Sequence, residues 1–193
     1  PSAAGSVLAL KDPRLCRTLP QLYEALGTEW LRYGICVVRH PASVVASIGY
    51  RDDMPALKAL ALWLRHNLEM VQNRNLNSSV IQWPLLSFER LINNPSVELK
   101  SALHFWRQQG LQIQVNPNEE IQRRELPRVS LTLTDVPAKW QIIAENFYLV
   151  LKQSTSLGDV PEQALEPVIE LLDHTPALSQ KLLILEAQRR EQL

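Results

Sequence analysis

Three short apolar segments stand out in the first half of the chain, at residues 6–10, 34–38 and 79–86. The segment 34–38 is uninterrupted and rich in β-branched residues, which favours a strand covered on both faces. The segment 79–83 is the centre of the third strand, which can extend to 86. The sequence therefore predicts parallel strands at these three places, with helices packed on both faces of the sheet.

Segments with helical periodicity separate the apolar runs. A helix-like stretch over 19–33 precedes the second strand, and a helix over 42–50 follows it, with Pro41 at a first helical position. The strongest pattern, over 57–71, repeats apolar residues at Leu57, Leu60, Ala61, Leu64, Leu68 and Val71. A further helix is predicted from about 94 to 109.

From about Pro137 onward the pattern becomes helical only. One face of the first of these helices carries Trp140, Ile143, Ala144, Phe147, Val150 and Leu151. Asp159 and Glu162 have capping-box spacing, and Thr175-Pro176 opens a final helix. The sequence predicts a partial α/β domain over 1–130 and a helical C-terminal extension over 131–193 packed on it.

Composition narrows the function classes. Of the 193 residues, 46% are hydrophobic and 21% charged, which is typical of a globular protein. Lys plus Arg and Asp plus Glu both number 20, a balance that argues against nucleic-acid or anionic-membrane binding but leaves room for a small anionic ligand. No apolar run approaches the roughly 20 residues of a membrane span. The first residues lack the basic head and apolar body of a signal peptide, so we predict a cytoplasmic protein.

The two cysteines, Cys16 and Cys36, are too few for a disulfide framework. Both lie among apolar neighbours, so the expectation is a pair of buried free thiols.

Candidate chemistry begins where the second strand ends. Arg39 follows the strand directly, at the carboxyl edge where open α/β sheets bind ligands. Ser47 lies eight positions later on the next helix, from which its hydroxyl can share one phosphate with the guanidinium. Taken alone the signal is weak, because an arginine at a strand end is more often a surface ion-pair residue.

Several short motifs in a fixed order change this interpretation. The set comprises Lys11-Asp12-Pro13-Arg14, Arg39-His40-Pro41 with Ser47, Arg51-Asp52, Leu62-Trp63 with Asn67, and Phe88-Glu89-Arg90-Leu91 before Asn94-Pro95. Together they resemble bacterial members of the sulfotransferase family, over roughly residues 7 to 110. The resemblance implies a P-loop NTPase-like fold in which Arg39 and Ser47 bind the 3′-phosphate of the donor, 3′-phosphoadenosine 5′-phosphosulfate. It also implies a structural role for the Phe88–Leu91 stretch, where Arg90 replaces an acidic residue.

Lys11 is the candidate catalytic residue. It ends the first predicted strand beside the expected donor site, where its ammonium group can stabilise the leaving oxygen or the sulfuryl oxygens. Arg14 can assist or bind the acceptor, although Lys11-Asp12 and Arg14 can equally pair with each other and cap a sheet edge. No metal is required, and His40 is interpreted as a helix-start residue rather than a general base.

The sequence departs from the family in two places. It contains no Gly-rich loop of Arg-Ser-Gly-Thr character for the 5′-phosphosulfate, so the expectation is an incomplete C-terminal portion whose sheet another segment or chain completes. The family's second 3′-phosphate element, Arg-Lys-Gly, is absent too, and Arg123-Arg124 is interpreted as a solvated pair.

Two other functions stay open. A small-molecule kinase would show a phosphate-loop lysine and a metal-binding acidic residue, and neither is visible. A non-enzymatic interaction module with a degenerate nucleotide-binding fold is the main alternative. The sulfate acceptor, a small molecule or glycan with a hydroxyl or amine, has no local sequence code.

Overall fold

The computed structural model describes residues 10–27, 33–75, 83–108, 110 and 133–174. These ranges contain two strands and a larger number of helices. In chain order they are α1 (Leu15–Leu26), β1 (Cys36–Val38), α2 (Pro41–Asp52), α3 (Ala56–Gln72), β2 (Leu85–Ser87), α4 (Phe88–Asn93), α5 (Pro95–Gln108), α6 (Ala138–Gln153) and α7 (Glu166–Asp173). The described part is mostly helical around a small parallel sheet, which is compatible with the predicted α/β class.

The sheet pairs β1 with β2 in parallel, with Cys36 opposite Leu85 and Val38 opposite Ser87. This confirms parallel strands within the predicted segments 34–38 and 79–86. β2 lies at the very end of its segment and reaches Ser87, one residue beyond it. The predicted first strand at 6–10 falls, apart from Leu10, outside the described residues, as do 79–82.

Proline determines where the pairing of β2 begins. Pro84 has no N–H to give to the sheet, but its carbonyl accepts the Cys36 N–H at 2.9 Å. On its other side Pro84 forms an antiparallel bridge with Ser156. The regular strand therefore starts only at Leu85, whose N–H donates to the Thr155 carbonyl at 2.9 Å.

The expectation that the second strand is covered on both faces is wrong for β1. Cys36 and Val38 are buried, whereas the side chain between them, Val37, is 47% exposed. β2 is buried at all three positions. Within the described ranges only β2 pairs with β1, so the burial of β1 alternates as it does in a half-covered strand.

The core forms between α3, the sheet and the helices after residue 133. The fully or nearly buried positions of α3 are Ala59, Leu60, Trp63, Leu64, Leu68 and Val71. Those of α6 are Trp140, Ala144, Phe147, Tyr148 and Leu151. Both sets belong to one cluster, so α6 packs against α3 and the sheet. The boundary near 130 stays a prediction, because 111–132 lie outside the described residues.

Helix α1 begins at Leu15 and contains a proline, Pro20. Pro20 has no N–H for the carbonyl of Cys16, four residues earlier. The side-chain amide of Asn73, at the end of α3, donates to that carbonyl instead. The hydrogen bond that proline removes is thus replaced by one that joins α1 to α3.

Arg74 is a second structural residue that the pattern does not reveal. Its side chain is buried and donates to the backbone carbonyls of Leu157 and Val160 and to the carboxylate of Glu162. The predicted capping box at Asp159 and Glu162 is therefore wrong. Glu162 pairs with Arg74, and the box is formed one turn earlier by Ser156 and Asp159.

None of the helices in the described ranges is long and apolar enough to cross a membrane. The cytoplasmic location stays a prediction.

Candidate functional site at the carboxyl edge of the sheet

Arg39 follows β1 directly and stands at the carboxyl edge of both strands. Its guanidinium carbon lies 4.7 Å from the ring centroid of Phe88, the first residue after β2. A cation over an aromatic face is attracted by the ring and does not use its N–H groups in that contact. Within the described residues the Arg39 guanidinium forms no ion pair or side-chain hydrogen bond.

The peptide group between Arg39 and His40 is held on both sides. Its carbonyl, that of Arg39, accepts the indole N–H of Trp63 at 3.0 Å. Its N–H, that of His40, donates to Oε1 of Glu89 at 2.8 Å. Because one rigid plane carries both groups, two side chains from different elements fix the backbone that presents Arg39.

Three hydrogen bonds at this edge converge on the carboxylate of Glu89. Besides the His40 N–H it accepts the hydroxyl of Ser87 at 3.0 Å and the hydroxyl of Tyr148 at 2.9 Å, both on Oε2. Burial alone would raise the pKa of Glu89, but the hydrogen bonds from His40, Tyr148 and Ser87 outweigh it and the pKa is lowered. Glu89 is therefore a carboxylate at neutral pH, and its charge is directed at neutral donors.

His40 is the N-cap residue of α2, as the sequence predicts. Its Nδ1 accepts the backbone N–H of Ala42 at 3.2 Å, while Nε2 lies 3.1 Å from Glu145. An accepting Nδ1 assigns the proton of the neutral ring to Nε2, which then donates to Glu145. Both ring nitrogens are engaged, which leaves no free lone pair for a general base.

Tyr148 connects α6 to the edge. Its hydroxyl donates to Glu89, and its ring meets the His40 ring edge-on with centroids 4.9 Å apart. Burial, followed by the bond to Glu89, raises the pKa of Tyr148 to about 12. We call Arg39, His40, Phe88, Glu89 and Tyr148 the carboxyl-edge cluster.

Ser47 lies exposed on α2, six residues beyond Pro41. The rise of an α-helix places it about 9 Å along the axis from that first residue. The Ser47 hydroxyl and the Arg39 guanidinium form no hydrogen bond with each other. Arg39 precedes α2 and Ser47 lies near its middle, and their predicted joint role stays a prediction.

Lys11 is not part of the carboxyl-edge cluster. It is exposed just before α1, and its ammonium group forms no ion pair or hydrogen bond within the described residues. Its neighbours Asp12 and Arg14 pair with each other at 2.8 Å, and the Arg14 guanidinium lowers the pKa of Asp12. This is the pairing that the sequence left open as the alternative to an active role for Arg14. The catalytic role of Lys11 stays a prediction.

The thiols are free, and burial raises both pKa values, to about 11 for Cys16 and about 12 for Cys36. Cys36 is buried and Cys16 partly buried, so neither is a thiolate at neutral pH. Among the described residues no three His, Cys, Asp or Glu side chains are grouped as metal ligands.

A shallow cavity of about 370 Å³ lies elsewhere. Its lining comes from the end of α6 and the segment after it, including Ser154, Thr155 and Asp159. Of these residues Thr155 pairs with Leu85 at the start of β2, so the cavity lies at the amino end of the strand. It shares no residue with the carboxyl-edge cluster.

The comparisons with known proteins do not assign the cluster to a family: no family model, no curated protein and no solved structure matches the chain.

Sequence reasoning missed Tyr148 and the central place of Glu89. Tyr148 follows Trp140 and Ala144 at four-residue spacing, a signal that puts it on the buried face of α6. Glu89 lies 49 positions from His40 and 59 from Tyr148, and no local pattern reports such pairings.

Proposed function

We propose that this protein is of the sulfotransferase type and has a P-loop NTPase-like α/β fold. In this proposal Arg39 and Ser47 bind the 3′-phosphate of 3′-phosphoadenosine 5′-phosphosulfate, whose sulfuryl group passes to a hydroxyl or amine. The observation that carries the proposal is the Arg39 guanidinium, stacked on Phe88 at the carboxyl edge of two parallel strands with no acidic partner among the described residues.

The physical support is that no described carboxylate competes with a ligand for the Arg39 guanidinium. Arginines near a protein surface usually gain from a nearby carboxylate, and Glu89 is close in sequence to the stacked ring. Yet both oxygens of Glu89 are occupied by the donors from His40, Ser87 and Tyr148. An open guanidinium edge suits a phosphate, because it can donate two parallel hydrogen bonds to its oxygens.

The order of the residues supports a nucleotide 3′-phosphate in particular. Arg39, the α2 start at Pro41 and exposed Ser47 follow one another in the arrangement that the sulfotransferase resemblance implies. Ser47 can add one hydroxyl to the same phosphate.

The chemistry of the proposed reaction makes modest demands. The acceptor oxygen or nitrogen forms a bond to sulfur, the bond from sulfur to the bridging phosphate oxygen breaks, and the acceptor proton leaves to a base. The products are the sulfated acceptor and adenosine 3′,5′-bisphosphate. Positioning and positive charge at the leaving oxygen supply most of the catalysis in such transfers. Lys11 is our candidate for that charge, and the general base is unassigned.

A second candidate function is nucleotide binding without transfer, in an interaction module. The observation that favours it is the exposed position of Lys11 before α1, without a hydrogen bond or ion pair to the described cluster. The two functions share the Arg39 site and differ only in turnover of the donor.

Calorimetric titration with adenosine 3′,5′-bisphosphate and with adenosine 5′-phosphate tests the shared site. We expect the wild type to prefer the bisphosphate. Arg39→Ala should lose about 1.5–3 kcal/mol of bisphosphate binding, and Ser47→Ala about 1–2 kcal/mol. Neither change should weaken the monophosphate comparably, because that ligand lacks the phosphate being bound.

Matched controls are Arg51→Ala, which removes an exposed arginine paired with Asp52 on the same helix, and Ser101→Ala, an exposed serine on α5. Neither should alter the preference for the bisphosphate. Equal losses for both nucleotides in Arg39→Ala, or none for either, would remove the proposal. Sulfate transfer from the full donor, measured with the segment or chain that supplies the phosphate loop, separates the enzyme from the binding module.

A further inference from the structure

We infer that Glu89 is the positioning residue of the Arg39 site: through the Arg39–His40 peptide it sets where the Arg39 guanidinium stands. This inference depends on the proposed function only for the identity of the ligand. The contacts of Glu89 on which it is argued are independent of that proposal.

The first step concerns what Glu89 holds. Its Oε1 accepts the N–H of the peptide whose carbonyl is held by Trp63. Rotation of that plane changes ψ of Arg39 and φ of His40, and therefore the orientation of β1, which carries the arginine side chain, relative to α2 and α4. Removal of either bond frees one side of the plane and widens the range of positions of the guanidinium.

The second step concerns the stacking platform. Phe88, under the guanidinium, and Glu89 are consecutive residues of α4, and the N-cap of this short helix is Ser87. The Ser87 hydroxyl donates to Glu89 and also accepts the Arg90 N–H at 3.4 Å. Glu89, which holds the Arg39–His40 peptide, and Phe88, which lies under the guanidinium, therefore belong to the same short helix directly after β2.

The third step connects this unit to α6. The Tyr148 hydroxyl supplies the third donor to Glu89, and Tyr148 is itself buried in the core. The position of the Arg39 guanidinium thus depends on helices far along the chain.

The fourth step distinguishes positioning from simple electrostatics. Glu89 is a negative charge near a proposed anion site, and by Coulomb's law alone its removal should strengthen anion binding. Positioning predicts the opposite sign. Glu89→Gln keeps the shape and one acceptor oxygen but loses the charge-assisted bonds, so bisphosphate affinity should fall, by about tenfold.

The test combines two measurements on the whole chain. The first needs no ligand: nitrogen-15 NMR of the Arg39 Nε–H and the His40 amide in the wild type and in Glu89→Gln. We expect the His40 amide to lose protection from hydrogen exchange, and the Arg39 Nε–H to gain fast motion. Glu98→Gln, which breaks the ion pair with Arg90 between α4 and α5, is the control and should leave both signals unchanged.

The second measurement is a double-mutant cycle by calorimetry with adenosine 3′,5′-bisphosphate. If Glu89 acts through Arg39, Glu89→Gln should cost about tenfold in the wild type and almost nothing in an Arg39→Ala background. A purely stabilising role for Glu89 would instead leave the affinity of the folded protein unchanged.

The outcomes separate the two proposals. Unchanged NMR signals in Glu89→Gln, or stronger bisphosphate binding, would overturn the positioning role. Altered signals together with no bisphosphate binding by the wild type would support the positioning role and reject the proposed function.

Discussion

Two arginines at opposite ends of the sheet differ in every respect that decides what an arginine does. Arg74, at the amino end, is buried and donates to two backbone carbonyls and to Glu162. Arg39, at the carboxyl end, is partly exposed, lies on an aromatic ring and has no hydrogen-bonded acceptor for its guanidinium in the described ranges. Both lie at the end of a regular element, yet one is fully engaged by the fold and the other has no protein acceptor among the described residues.

The two residues carry the same charge, so the difference lies in the hydrogen-bond acceptors that the protein places around each guanidinium. At the amino end the segment after α6 turns its carbonyls toward Arg74. At the carboxyl end the carboxylate of Glu89, next to Phe88 in the chain, accepts hydrogen bonds from three neutral donors. The predictions below test this contrast between the two ends, from the largest expected effect to the smallest.

Arg74→Ala should lower the free energy of unfolding by about 3 kcal/mol, because it leaves two buried carbonyls and Glu162 without their donor. Arg39→Ala should lower it by less than about 1 kcal/mol, as expected for a residue outside such features. Urea unfolding of both variants measures the contrast. Equal losses would mean that Arg39 is structural too.

Gly34→Ala tests how tightly the amino end is packed. A methyl group at Gly34 would lie 2.4 Å from Cδ2 of the Trp83 ring, so the ring must move, at a cost of about 1–3 kcal/mol. Gly49→Ala is the matched control, since its new methyl group meets nothing closer than 3.6 Å. Gly49 lies inside α2, where alanine should stabilise by about 0.5–1 kcal/mol. Thermal unfolding should show opposite signs, and a loss in both variants would contradict this packing.

Tyr148→Phe removes one of the three donors to Glu89 and keeps the ring. We expect a loss of about 1 kcal/mol in unfolding free energy, since two other donors remain on the carboxylate. Chemical denaturation measures it. A loss as large as that of Arg74→Ala would show that the carboxyl edge is a structural centre.

The smallest expected effect is the change in stability of the Glu89 hydrogen bonds with acid pH. The pKa of folded Glu89 lies below its ordinary value of 4.5, so its hydrogen bonds stabilise the folded state above that pH and are lost as pH falls through the lowered value. The stability difference between wild type and Glu89→Gln should therefore shrink as the pH falls below 4.5 and through the lowered pKa. A difference that stays constant over this range would mean that the charge of Glu89 contributes nothing.

The sequence predicts much of the fold where periodicity is long. Leu60, Leu64 and Leu68 of α3, and Trp140 and Phe147 of α6, are buried as their spacing predicts. Short segments are predicted less well: of the third segment's described residues only Leu85 and Leu86 belong to regular strand, and Pro84 precedes them without an N–H to donate. The capping-box spacing predicts a box one turn too late, because the sequence does not reveal that Glu162 pairs with Arg74.

For the candidate site, too, the sequence predicts the local features and not the long-range contacts. The position of Arg39 at a strand end, and of His40 as a helix cap, follows from local sequence, and the structure agrees. The bonds that give Arg39 its setting come from Trp63, Glu89 and Tyr148, and the fold alone brings these residues together. Whether an arginine is paired or open is therefore a tertiary property.

The most direct test of the central claim is a titration followed by nitrogen-15 NMR of the arginine Nε–H signals, with the Arg39 signal assigned from its loss in Arg39→Ala. Adenosine 3′,5′-bisphosphate should shift the Arg39 signal strongly, adenosine 5′-phosphate should shift it little, and the Arg74 signal should stay in place with both. An Arg39 signal that stays in place with the bisphosphate, or moves equally with both nucleotides, would contradict the assignment of this edge as a 3′-phosphate site.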